Sequence, residues 1–152
     1  MLAHGTMRRG MEMAMRTLGI DFGEKRIGLA ISDPAGRVAV PLATLERRND
    51  RSAVRQIAEI ARNEGVERLV LGEPVGLEGR RGPAAERVER FGRKLADVTG
   101  LPLTRIDEAL TTVAAAERLR EAGIDPRRQP ERLDALAAQI LLQDALDRGA
   151  AF

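Results

Sequence analysis

Cysteine, tryptophan and tyrosine are all missing from the 152 residues, and aromatic character is limited to three phenylalanines. Without cysteine there is no disulfide, no thiolate nucleophile and no zinc-thiolate site, which fits a reducing compartment such as the cytoplasm. The one histidine, His4, stands near the start, so the body of the chain has nothing for histidine acid–base or zinc chemistry. So few aromatic rings require an aliphatic core and leave little for base stacking as a way of gripping nucleic acid. No apolar run approaches the roughly 18 residues that a membrane helix requires. Lysine is nearly absent too: apart from Lys25 and Lys94, all 25 basic residues are arginine. Arginine suits bidentate phosphate contact, although a GC-rich genome also enriches it.

What remains is a chain of 43% hydrophobic residues and net charge +2, the size of one ordinary domain. The first sixteen residues hold five methionines and no continuous apolar stretch, and read as a disordered extension rather than a signal peptide. Residues 17–149 then read as one domain. Thr17 to Phe22 alternates, with Leu18, Ile20 and Phe22 on one face and Thr17, Gly19 and Asp21 on the other, as in a half-buried strand. Arg26 to Ser32 alternates again, and Asp33-Pro34-Ala35-Gly36 turns into a third strand from Arg37 to Leu45. Helical spacing of Val54, Ile57, Ala58 and Ala61 is followed by a strand at Glu67 to Gly72. A Gly-rich loop from Gly76 to Pro83, a helix from Ala84 to Val98 and a strand from Leu103 to Ile106 come next. Helices at Thr111 to Glu121 and Glu131 to Asp147 complete the order βββαβαβαα. Such an order predicts an α/β fold, with an antiparallel meander extended into a mixed sheet covered by helices.

Three acidic positions stand out. Asp21 ends the first strand on a face where Gly19, Gly28 and Ala30 leave little bulk, so that a helix can approach or a ligand can enter; an ordinary turn acid is the competing reading. Asp134 lies near the start of a helix in which eight of the ten residues from Leu133 to Leu142 are apolar. A helix so uniformly apolar belongs between layers, and an ionised carboxylate buried there needs a partner. A cation supplies one; a dipole-stabilised helix acid, or an ion pair with Arg128 or Arg132, are the alternatives. Asp107-Glu108 follows the fifth strand, and the residues alone do not say which of the two faces a site or whether the pair is a plain acidic loop. Carboxylates at strand and helix ends suit hard cations such as magnesium or manganese. Two such ions about 3.5–4 Å apart would serve phosphodiester hydrolysis.

The run Leu18-Gly-Ile-Asp-Phe-Gly-Glu-Lys-Arg-Ile-Gly-Leu-Ala-Ile-Ser-Asp33 resembles the opening of the YqgF/RuvX family of Holliday-junction resolvases, also described as precursor 16S ribosomal RNA nucleases. Leu71-Gly-Glu-Pro74 with Gly79 and Gly82, Phe91, Asp107-Glu-Ala-Leu-Thr-Thr112 and Leu133-Asp-Ala-Leu-Ala-Ala-Gln-Ile-Leu-Leu-Gln143 resemble later family segments in the same order. The resemblance implies a ribonuclease H-like mixed five-stranded sheet flanked by helices. It also implies a site in which Asp21, Glu108 and Asp134 hold two magnesium or manganese ions, and so chooses Glu108 over Asp107. The implied partner is structured RNA or branched DNA. A resolvase implies a symmetric dimer, whereas trimming an RNA end needs only a monomer. Two departures stand out: Ala109 where the family usually has arginine, and Glu73 where it usually has an apolar residue.

Lys25 and Arg26, just past Asp21, are candidates for phosphate contact, as are Arg80 and Arg81 in the glycine-rich loop and Arg127 and Arg128 before the last helix. Charge runs are more often solvated faces. Two other functions compete. Asp21-Phe-Gly with Gly28 also resembles the phosphate loop of actin-like ATPases, which need a second domain that this length does not supply. A non-catalytic nucleic-acid-binding or ribosome-assembly module would accommodate Ala109 but leave the three acids unexplained.

Overall fold

Large aliphatic side chains at alternate positions of the first two strands, and small residues between them, decide how this molecule is layered. A computed structural model of the chain describes residues 15–73, 82–107 and 111–149. Strands β1 (Thr17–Phe22), β2 (Arg26–Ser32) and β3 (Ala39–Glu46) form the antiparallel meander. Helix α1 (Asp50–Asn63), strand β4 (Arg68–Glu73), helix α2 (Pro83–Thr99) and strand β5 (Leu103–Asp107) follow, then helices α3 (Thr111–Glu121) and α4 (Pro130–Arg148). The sheet order is β3-β2-β1-β4-β5, with β4 parallel to β1 and β5 parallel to β4. The expected fold class and element order are both present, with strand and helix ends displaced by one or two residues.

The period of two in β1 and β2 has a different cause from the expected half-burial. Both faces are covered. Leu18, Ile20, Ile27, Leu29 and Ile31 pack beneath α1 and α2 against Ile57, Val88, Phe91 and Leu95. On the opposite face Ala30 and Val70 meet Ala138, Leu142 and Ala145 of α4. The small residues are there because α4 lies close: a Cβ on Gly19 would stand 2.7 Å from Cβ of Leu142. Helix α4 is itself packed between the sheet and α3, as its nearly continuous apolar sequence requires.

Local chemistry sets the helix ends. The Asn49 side chain caps α1 by accepting from the Ser52 amide at 2.8 Å. Pro83 and Pro130 open α2 and α4, where a missing N–H costs nothing. Gly100 closes α2 in the left-handed region, at φ 69°. Arg16, placed by sequence in the extension, donates to the carbonyls of Ser32 at 3.2 Å and Glu64 at 3.0 Å. Residues 1–14 of that extension lie outside the described residues. No helix among the described residues is long and apolar enough to cross a membrane.

Candidate active site

Parallel pairing of β1, β4 and β5 sends their C-terminal ends to one edge of the sheet, and Asp21 stands on that edge. Directly across the meander its partner is Gly28. The absent side chain of Gly28 is what admits α4: a Cβ there would lie 2.0 Å from the carbonyl oxygen of Asp134 and 2.4 Å from its carbon. The backbone of Asp134 therefore rests on the strand residue opposite Asp21, and two carboxylates distant in sequence come together.

Their proximity has an electrostatic signature. The Asp21 carboxyl is pushed up from 3.8 to about 7, first by burial and second by the negative charge of Asp134. Arg26, two residues before Gly28 on the same face of β2, donates its Nε–H to Oδ2 of Asp134 at 2.5 Å. Asp134 thus pairs with Arg26 and not with Arg132 or Arg128. Arg132 instead donates to Gln129 at 3.3 Å, and Arg128 lies 4.0 Å from Asp125. Because α4 begins at Pro130, Asp134 sits past its first turn, and the helix dipole supports it less than a first-turn acid.

Asp107 is exposed at the end of β5 and shares a strand face with Leu103 and Arg105. That is the α2 face: Leu103 packs on the aliphatic core there, and Arg105 approaches Glu89 of α2 at 4.0 Å. Asp107 therefore lies on the face away from Asp134. Glu108, and Arg80 and Arg81 with most of the glycine-rich loop, lie outside the described residues. Among the described residues no three acids or other ligating groups converge to hold a metal. The acid pair is the described part of the expected triad.

The proposed phosphate contacts fall into different environments. Lys25 is exposed in the β1–β2 turn beside the pair. Arg127 and Arg128 project from the loop leading into α4, about nine-tenths exposed and at long range from Asp125. The departure at Glu73 is accommodated by an ion pair with Arg105 at 3.5 Å. Sequence reasoning missed the Arg26–Asp134 pair. Its signal was the spacing of Arg26 to Gly28, which puts both under the same helix. Arg47, part of a basic cluster in the sequence, is structural: it bonds Asp50 at 2.7 and 3.0 Å and lies over the Phe22 ring at 4.9 Å.

A 3-2-1-4-5 mixed sheet, antiparallel on one side and parallel on the other and flanked by helices, is the ribonuclease H-like fold. Solved structures share the fold. Thermus thermophilus RuvC in complex with a Holliday junction substrate matches with a TM-score of 0.57 and 18% identity, over 88% of this chain and 94% of that one. The fowlpox virus resolvase with Holliday junction DNA matches at 0.55 and 11% identity, over 88% and 98% of the two chains. The chain belongs to the RuvX family, described as Holliday junction resolvase, whose profile matches residues 15–148. A relative in Chloroflexus aggregans named "Putative pre-16S rRNA nuclease" is 45% identical over 86% of this chain and 92% of its own. A Moorella thermoacetica protein of the same name is 46% identical, over 88% and 96%.

Proposed function

We propose that residues 17–149 form a metal-dependent nuclease that hydrolyses phosphodiester bonds in structured nucleic acid, with precursor 16S ribosomal RNA, cut at its 5′ end, as substrate. The observation that carries this reading is the convergence of Asp21 and Asp134 across Gly28. Two crowded acids, one pushed toward neutrality by burial and then by the other's charge, are costly to ionise together, and a divalent cation removes that cost. The donor set is all oxygen, which fits magnesium or manganese and not zinc. Asp21 and Asp134 would hold the metal together with Glu108. Asp107 points to the wrong face of β5 for that role, which favours Glu108 as the third acid.

Such ions, held by these acids, would supply water activation and charge stabilisation at the leaving oxygen. The protein's own residues do the rest. Gly28 fixes the separation of the acids, and the α4 backbone holds Asp134 against the strand. Lys25, Arg26, Arg80, Arg81, Arg127 and Arg128 are the groups we assign to substrate phosphates. Identity above 40% to relatives named for precursor 16S rRNA favours RNA as the substrate. The family's description as Holliday junction resolvase favours branched DNA as the second reading.

The test is cleavage of a ribosomal RNA precursor, a four-way DNA junction and duplex DNA, each with magnesium, manganese or EDTA. Metal-dependent trimming of the precursor supports the first reading, and preference for the junction supports the second. Well-folded protein that binds these substrates and cuts none of them with metal supplied would instead be a binding module.

A further inference from the structure

Arg26 occupies one of the two oxygens of the Asp134 carboxylate, the group that a cation at the acid pair would need. Its Nε lies 2.5 Å from Oδ2 of Asp134, with the Arg26 side chain 36% exposed and the Asp134 side chain 21% exposed. Strand register aims it there, since Arg26, Gly28 and Ala30 share the face of β2 beneath α4. Among the described residues it is the one cation bonded to the pair. With both acids ionised the group carries two negative charges against one guanidinium, so one carboxylate is left without a counter-charge. The acids are held by a strand and a helix; the arginine is a long, partly solvated side chain. Of the three, it is the one free to leave.

We infer that Arg26 is the resident counter-ion of the metal-free site, displaced from Asp134 by a divalent ion and so released to grip a substrate phosphate. The second half of this inference rests on the nuclease reading; the first does not. Metal and guanidinium repel one another and compete for the same carboxylate, so metal has to bind against the Arg26–Asp134 contact. Its apparent affinity is lowered by the fraction of molecules in which that contact is closed. The freed guanidinium remains tethered at the start of β2 beside the site. Its planar set of N–H donors matches two phosphate oxygens better than one carboxylate oxygen.

The sign of the effect separates this role from a structural one. Were Arg26 simply holding Asp134 in place, its loss would loosen a ligand and weaken metal binding. As a competitor, its loss tightens metal binding. The experiment is titration of purified full-length protein with Mn2+ without nucleic acid, comparing wild type, Arg26→Gln and Arg26→Lys. Circular dichroism checks the fold of each variant. In parallel, the Nε–H resonance of Arg26 in the wild type is followed by NMR while Mg2+ is added. Expected are a Mn2+ Kd about fivefold tighter in Arg26→Gln, little change in Arg26→Lys, and an Nε–H signal that moves to the free-guanidinium position as Mg2+ saturates. Cleavage by Arg26→Gln would then show a KM raised about tenfold at saturating metal. Equal or weaker Mn2+ binding by folded Arg26→Gln, or an Nε–H signal indifferent to Mg2+, overturns the exchange. Absence of binding to the wild type overturns it together with the metal site. Tighter metal binding in a protein that cuts nothing upholds the exchange and sinks only the nuclease reading. Should Arg26→Gln fail to fold, the wild-type NMR titration decides alone.

Discussion

The carboxyl of Asp21 bears two penalties, burial and the charge of Asp134, and it is pushed from 3.8 to about 7. A folded-state value above the unfolded one means that this group's favourable contribution is complete below pH 3.8 and is lost as pH rises through about 7. Metal-free protein is therefore strained at this residue at pH 8. Asp21→Asn should raise the free energy of unfolding in EDTA at pH 8 by about 1–3 kcal/mol. Below pH 4 that advantage should vanish. Urea unfolding at a series of pH values measures it, and equal stabilities throughout would mean that the acids are not in contact. The loss of stability is tolerated where a ligand repays it, as expected of a binding site. Sequence singled out Asp21 and Asp134, which the fold brings together, because an acid among glycines and an acid in an apolar helix are local anomalies. It missed the Arg26–Asp134 pair, which spans 108 positions and forms only once α4 lies on β2.

At the scale of the element, glycine placement does more than strand or helix propensity. Helix α4 approaches the sheet over Gly19 and Gly28, and the two contacts differ in what lies behind them. At Gly28 a side chain would strike backbone, the carbonyl of Asp134 at 2.0 Å. At Gly19 it would first meet the Leu142 side chain at 2.7 Å. Both alanine variants should lose about 1–3 kcal/mol, with Gly28→Ala at the upper end or beyond. Only Gly28→Ala shifts the turn carrying Asp134, so cleavage at matched folded fraction should fall at least tenfold there and little in Gly19→Ala. Equal activity in the two would remove Gly28 from the site. On the other face, Phe91 is fully buried and packs on Phe22 at a centroid distance of 4.4 Å. Phe91→Ala should cost about 3–5 kcal/mol by urea unfolding. Element order was legible because apolar periodicity switches cleanly between two and 3.6. What misled was burial: alternation of large and small apolar residues mimics the pattern of a half-exposed strand, and only the presence of α4 distinguishes the two.

For the whole molecule, a net charge of +2 gives no general attraction for nucleic acid, so binding must come from local arrangement. The turn holding Lys25 follows Asp21 and the loop holding Arg127 and Arg128 leads into the helix that carries Asp134, and neither arginine has a short side-chain partner. Replacing Arg127 and Arg128 together by Gln should weaken substrate binding at every sequence and lower the slope of log K against log salt by about 1–2. An unchanged slope would return both to the solvated surface. The sheet order also places the end of β5 next to the end of β4 and on the same side as the end of β1, which is why a third acid from the Asp107-Glu108 pair belongs to the proposal. All of these claims meet in one: that the Asp21–Asp134 pair is a metal-dependent cleavage centre. The most direct measurement is single-turnover cleavage of the ribosomal RNA precursor by wild type and Asp21→Asn at saturating magnesium, with urea unfolding run on both. Asp21→Asn is expected to be folded, at least as stable without metal, and slower by at least about a hundredfold. A folded Asp21→Asn protein that cuts at the wild-type rate would contradict it.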